Sequence, residues 1–579
     1  SKSRHSGWYA RQMYTQHSGA YNDHLTNWGH PSEIGYKNVI EAWQAEQFDA
    51  AKWVELFKNA GAKYIVTMAV HHDNFDLWDS RHQPRWNSLN YGPKKDVCGE
   101  MKRETLKAGL RWGVDTHVAR TYSWYQTSRG ADVAGPLKGV PYDGRNPEYQ
   151  DLYGPYPDRP RLGTPDDQLR HPLDPPDSWK EHWKNRMFDL IDNYHPDFFY
   201  FDGALPFMND DGQAGMEVIA HYYNHNARRH DGKNEGVMVI KDITKHGFYY
   251  PGISSVVMER ARTDYISRKP RQTENSIGPW FHTGDTTRYR SSESLLHEMI
   301  DVVSKNCNFL LNIPPKGDGS FDEPTRNILS DFGQWLQRNG EAIYGTRPWH
   351  TFGEGDVRFT RKENVLYVIS LSRPDQSLVL RSLHQWREKD IQQIELLGKK
   401  ELPWKMTKTG VVISMPDHYS DQPAYVFKIS CLKDPLDLPF AEVDLQSVEE
   451  ENRKAALKYG ADGHGGEKLP GTEQSGSEQQ GKTVQDLLTV LNWNTLYCFN
   501  HGNAVDSGVE WIRNLQADVV ALQELNGQTH ESFKDLAGGW NHDHAVLLKE
   551  EGFPVGLTSN MPIELIEKRV EGFHHGFLH

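Results

Sequence analysis

The sequence predicts an α/β protein with a (β/α)8-like barrel, then an antiparallel β-sandwich, then a partial α/β tail. Three observations carry this. From Gly35 to Gly345, short β-branched and aromatic runs alternate with amphipathic helical stretches, the order of parallel strands joined by helical crossovers. Between Trp349 and Ser430 the apolar period falls to two, as in Asn364-Val-Leu-Tyr-Val-Ile-Ser-Leu371 and Gly410-Val-Val-Ile-Ser414, with polar turns between the runs. From Glu449 to Gln485 the chain is rich in Gly, Glu, Gln and Ser and too polar to bury a core, after which an αβ pattern resumes. These changes divide the chain at 1–347, 348–432, 433–486 and 487–579.

In the barrel, the predicted strands are Ala62–Val70, Leu110–Val118, Asp197–Asp202, Gly236–Lys241, Ser254–Glu259 and Asn308–Ile313. Each is rich in Val, Ile, Phe or Tyr, as strands covered on both faces require. Helices are predicted at Phe48–Gly61, which closes on a glycine, and at Ser291–Ser304, which opens on a Ser-Ser-Glu start.

A chain of 579 residues exceeds one ordinary domain and has length enough for a large core. No apolar run is long enough to span a bilayer, so no membrane partner is expected. The formal net charge of -14, without clustered Lys and Arg, argues against a nucleic-acid partner. Cys98, Cys307, Cys431 and Cys498 lie far apart with no CxxC pair, so neither a zinc site nor a disulfide framework is expected, and no metal is assigned to the barrel. No leader segment is visible at Ser1.

Reacting groups in parallel α/β barrels sit at the carboxyl ends of strands, so polar residues that close an apolar run are the first candidates. His71 and His72 close Tyr64-Ile-Val-Thr-Met-Ala-Val70. A single core histidine would be unremarked there, but two in succession turn to opposite faces. Asp202 closes Pro196-Asp-Phe-Phe-Tyr-Phe, with Gly203 beside it, and Glu259 closes Ser254-Ser-Val-Val-Met. Alone, Asp202 reads equally as a cap or turn residue and Glu259 as the partner of Arg260 or Arg262. Together they form the pair that glycoside hydrolysis needs: one group to attack or direct water at the anomeric carbon, one to protonate the leaving oxygen.

Four ordered blocks then resemble the α-L-fucosidases of glycoside hydrolase family 29: His71-His-Asp-Asn-Phe-Asp-Leu-Trp-Asp-Ser80, the Phe-Asp-Gly strand end at Asp202, Val302–Gly319, and Phe332–Gly345. The resemblance spans Trp8 to Ser430. It implies exo-hydrolysis of terminal α-L-fucosyl residues from glycans with net retention, no cofactor, and a fucosylated glycan as the partner. It implies Asp202 as nucleophile and Glu259 as acid/base, with Glu274 as the rival. It implies that His71 and His72 contact sugar hydroxyls, that Trp8 packs on the fucose, and that His117 and Trp280 line the mouth.

The family's barrel normally opens with a strand carrying a Phe-x-x-His-Trp-Gly-like segment upstream of Trp8-Tyr9. That segment is not in this chain, so a barrel lacking its first strand, less stable for it, is expected. An extracytoplasmic location is implied by resemblance alone.

In the tail, Leu488–Asn494, Ala517–Leu525 and Gly552–Ile563 resemble the opening of an endonuclease/exonuclease/phosphatase-family domain, which implies Mg²⁺ at Asn494 and Glu524 if that piece is functional. The alternatives to a fucosidase are therefore a phosphoesterase acting through the tail and a sugar-binding barrel without turnover.

Overall fold

A computed structural model describes residues 7–154, 175–241, 247–398, 401–416 and 418–440, and parts of 490–578, chiefly 516–523, 528–549 and 555–563. The chain divides into two compact units, Ser1–Asp462 and Gly463–His579.

The first unit is built on a seven-stranded parallel sheet in simple sequential order: β1 Tyr64–Val70, β2 Arg111–Thr116, β3 Phe198–Phe201, β4 Val237–Lys241, β5 Ser255–Glu259, β6 Arg271–Ser276 and β7 Cys307–Asn312. Six of these are the expected strands, five of them shorter than expected and β7 shifted by one residue. The remaining one, β6, reads Arg-Gln-Thr-Glu-Asn-Ser and was not expected, because it carries no β-branched aliphatic or aromatic residue. Among the described residues β1 and β7 are the edges of the sheet, so the barrel is one strand short of eight. Val66 on β1 and Phe309, Leu310 and Leu311 on β7 are only half-buried, whereas all four residues of central β3 are buried.

Side chains on a strand alternate between faces, and this alternation decides what reaches the barrel axis. Phe199 and Phe201 of β3, with Met238 and Ile240 of β4, pack outward against Trp183, Met187 and Leu190 of the helix Asp177–Tyr194 and Val218, Ile219 and Tyr222 of Gln213–Arg229. The opposite parity, Phe198, Tyr200, Val239 and Val257, forms a separate inner cluster with Val66. Continued by one step, the inner series arrives at Asp202, Lys241 and Glu259 at the carboxyl ends of β3, β4 and β5.

Both expected helices form. Ala50–Asn59 starts on the Asp49 side chain, which accepts from Lys52 N, and Ser292–Ser304 starts on Ser291, which accepts from Ser294 N. The segment after β1 is anchored from beneath. Arg186 and Asp76 form a fully buried ion pair, Arg186 also donates to Asn74 Oδ1 at 2.6 Å, and Trp78 Nε1 donates to Asp189 Oδ2 at 2.9 Å. Asn74 and Asp76 thereby serve the fold and leave His71 and His72 to face the cavity.

After the barrel come two antiparallel sheets, one of five strands and one of three, between Gly353 and Cys431. Phe359, Val368 and Phe427 of the first share one apolar core with Val411 and Ile413 of the second. Cys98, Cys307 and Cys431 are free and buried. Most of the expected linker, residues 441–486, lies outside the described residues. No helix among those described is long and apolar enough to cross a membrane.

The second unit contains a four-stranded sheet in which Val490–Asn494 pairs parallel with Val519–Gln523, while Val555–Ser559 pairs antiparallel with Val519–Gln523 and with His544–Leu547. Val520, Leu522, Phe533 and Trp540 form its core. Glu524 lies outside the described residues, and of Asn494 only the strand is described.

Candidate active site

Lys241 organises the mouth of the barrel. Its Nζ lies 2.5 Å from Asp202 Oδ1, 2.8 Å from Glu259 Oε2 and 3.3 Å from Glu274 Oε1. The ammonium donates to Asp202 and Glu259, at the ends of β3 and β5, and stands at ion-pair distance from Glu274 on β6. Glu259 and Glu274 are register partners on adjacent strands, so this ammonium also separates two like charges.

On its other oxygen Asp202 meets His117 Nδ1 at 2.9 Å. Tyr200, one inward step below Asp202, donates to Glu274 Oε1 at 2.8 Å. Asp115, the register partner of Tyr200 on β2, adds a fourth carboxyl group within electrostatic reach of Asp202, Glu274 and Lys241.

One positive charge does not balance the carboxyls of Asp115, Asp202 and Glu274 together with that of the more open Glu259, and the protonation states divide accordingly. Burial raises the Asp202 carboxyl, but His117 and Lys241 outweigh it and hold Asp202 well below the usual carboxylate range. Burial pushes Glu274 up to about 7, against the pull of Lys241 and with the push of Asp202. Asp115 is raised well above the ordinary range, first by burial and then by Asp202 and Glu274. Three carboxylates keep Lys241 charged in spite of its burial. The mouth thus holds an ionised carboxylate beside a carboxyl that keeps its proton near neutrality, the separation that acid–base chemistry on two carboxyls requires.

His71, His72 and His117 form one side of the mouth. The rings of His72 and His117 lie 3.8 Å apart and those of His71 and His72 4.5 Å. Burial lowers all three, His117 to about 4 against the opposing pull of Asp202, so neutral imidazoles face the cavity. A neutral imidazole donates from one nitrogen and accepts at the other, which suits sugar hydroxyls.

Trp8 meets the edge of His72 at 6.1 Å and of Trp124 at 6.3 Å. Trp280 carries the Arg260 guanidinium over its ring at 4.7 Å, and Phe281 stands edge-on to His71 at 5.1 Å. Every residue expected at the site, Trp8, His71, His72, His117, Asp202, Glu259, Glu274 and Trp280, lines one cavity of about 1250 Å³ that continues down the inner wall between β1 and β7.

Sequence reasoning missed Lys241, Tyr200 and Asp115. Tyr200 and Asp115 lie inside predicted strands and Lys241 closes one, and the readable signal is parity: Tyr200 and Asp115 share the inner face with Asp202 and His117 at the strand ends.

Strand-end carboxyls at the mouth of a parallel barrel, with aromatic rings and neutral imidazoles around them, define a glycoside hydrolase of the barrel class. Residues 1–341 match the family model for α-L-fucosidase, and residues 352–430 match that for the α-L-fucosidase C-terminal domain. The chain belongs to the α-L-fucosidase family, which hydrolyses α-L-fucosyl residues without a cofactor.

It is 24% identical over 424 residues to the tissue α-L-fucosidase of Rattus norvegicus, covering 71% of this chain and 80% of that protein. To the Mus musculus enzyme it is 26% identical, covering 71% and 82%. The crystal structure of Thermotoga maritima α-fucosidase in complex with fucose superposes with a TM-score of 0.55 at 26% identity, covering 73% of this chain and 88% of that one. An α-L-fucosidase from Paenibacillus thiaminolyticus, 17% identical, shares the fold with a TM-score of 0.55, over 74% of this chain and 93% of that one.

Proposed function

We propose that this chain cleaves terminal α-L-fucosides from glycans by double displacement, with Asp202 as nucleophile and Glu259 as acid/base. Asp202 attacks the anomeric carbon while Glu259 donates its proton to the departing glycosidic oxygen, leaving a fucosyl ester on Asp202. Glu259 then takes a proton from water, the water oxygen attacks the anomeric carbon, and Asp202 is released. Two inversions give net retention.

The observation that carries this reading is the shared contact at Lys241. Both carboxylates hold the same ammonium, at 2.5 and 2.8 Å, which keeps their bonded oxygens no farther apart than the sum of those contacts, closer than the spacing of about 6.5–9.5 Å that inverting enzymes need. Glu259 is the acid because it is open to solvent, its side chain 37% exposed, where an aglycone would leave. His71 and His72 are assigned to the sugar hydroxyls, Trp8 to the fucose face, and His117 and Trp280 to the mouth. An extracytoplasmic site of action goes with this reading and is supported by the family resemblance alone.

Glu274 supports a second reading, since it keeps its proton up to about 7. Against it stand its burial and its bond from Tyr200, which direct it beneath Asp202. Leaving-group dependence separates the two. Glu259→Gln should lose about 10²–10⁴-fold on a sugar leaving group, which needs protonation, and far less on an activated aryl fucoside. That pattern in Glu274→Gln instead would reassign the acid.

A further inference from the structure

At the other end of the barrel, away from the mouth, Asp192, His221 and His225 converge where the helices Asp177–Tyr194 and Gln213–Arg229 pack together. Asp192 Oδ1 lies 2.7 Å from His221 Nε2 and 3.1 Å from His225 Nδ1. His221 and His225 are one turn apart on the same helix face, the spacing at which two imidazoles grip one ion.

We propose that Asp192, His221 and His225 form a structural site for a zinc-class divalent transition metal, pinning together the helices on either side of β3. Two imidazoles and one carboxylate are a ligand set that zinc accepts, with water in the fourth position. A tetrahedral ion with bonds of about 2.0–2.1 Å needs its ligand atoms roughly 3.3 Å apart. All three ligand atoms lie within 4.8 Å of one another, and Asp192, whose side chain is 47% exposed, has room to open by a few tenths of an ångström toward that spacing.

Both rings are already oriented. Phe188 lies against His221 with ring centroids 4.4 Å apart. The far nitrogen of His225, Nε2, meets His195 Nδ1 at 2.9 Å, with the two rings stacked at 5.0 Å. A histidine bound through Nδ1 normally donates its other N–H to a neighbouring acceptor, and His195 Nδ1 supplies one in the tautomer that gives up its 3.3 Å contact with the Ile191 carbonyl. Arg228 and Arg229 act on His225, and Lys102 and Arg229 on His195. These cations oppose a bound dication and weaken the site. The amino-terminal face of such a barrel serves stability and not catalysis, so the metal should tighten the fold and leave turnover alone.

The test uses the full chain, stripped with EDTA and titrated with zinc chloride by equilibrium dialysis, with Co²⁺ absorption as a second readout. One equivalent should bind with tetrahedral Co²⁺ bands, and zinc should raise the melting temperature without changing fucosidase turnover. His221→Gln/His225→Gln and Asp192→Asn should each remove that equivalent and the melting shift, with turnover retained as proof of folding. His71→Gln should keep both. Zinc binding unchanged in the double variant, lost in His71→Gln, or absent from the parent chain would overturn the assignment.

Discussion

Lys241 is the residue on which the site's electrostatics turn. Its ammonium is the nearest positive charge to Asp202, and with His117 it keeps that carboxylate ionised in spite of burial. Lys241→Met removes a charge that favours the ionised form, so the Asp202 pKa must rise and the acid limb of kcat/KM must move to higher pH. A pH–rate series on an aryl α-L-fucoside reads this directly; an acid limb that stays in place would mean that His117 alone sets the Asp202 charge. Asp202, Glu259 and the histidines were legible in sequence because each ends an apolar run abruptly. Lys241 ends Val237-Met-Val-Ile240 by the same rule and was equally legible, whereas Asp115, within the run Arg111–Thr116, carries no signal until the barrel axis is known. The choice between Glu259 and Glu274 was equally beyond sequence, because it depends on exposure and on the bond from Tyr200.

At the scale of single elements, β6 is the instructive strand. Its inner face presents Gln272, which accepts from Tyr64, and Glu274, while Asn275 turns outward and donates to Glu298 at 2.8 Å. A strand made wholly of polar side chains has neither the aliphatic run nor the alternation by which strands are read. By contrast β1, β3 and β4 were plain, because covering both faces forces continuous apolar sequence. Gly113 on β2 shows how closely these strands are fitted. A Cβ there would stand 2.5 Å from the Phe198 carbonyl oxygen on β3, a backbone atom that cannot yield without moving the strand. Gly113→Ala should therefore cost about 1–3 kcal/mol of stability, read as a lower urea midpoint. An unchanged midpoint would show that β2 and β3 separate freely.

For the whole molecule, sequence periodicity located the parallel barrel and the antiparallel region after it, because those two classes bury their strands differently. The opening between β1 and β7 was anticipated only through the family resemblance, and it leaves a cavity running from the carboxyl cluster down the inner wall. The tail unit plays no part in the chemistry argued above, which uses carboxyl groups and no metal. EDTA should accordingly leave fucoside turnover unchanged in the full chain; a loss that Mg²⁺ restores would bring the tail into the reaction.

The most direct measurement of the central claim is turnover of 4-nitrophenyl α-L-fucoside by Asp202→Gly, with and without azide. Removal of the nucleophile should abolish turnover, and azide, entering the space left by the carboxylate, should restore nitrophenol release and give the β-fucosyl azide. Turnover persisting in the variant without azide, or rescue yielding the α-azide, would contradict Asp202 as the group that attacks the sugar.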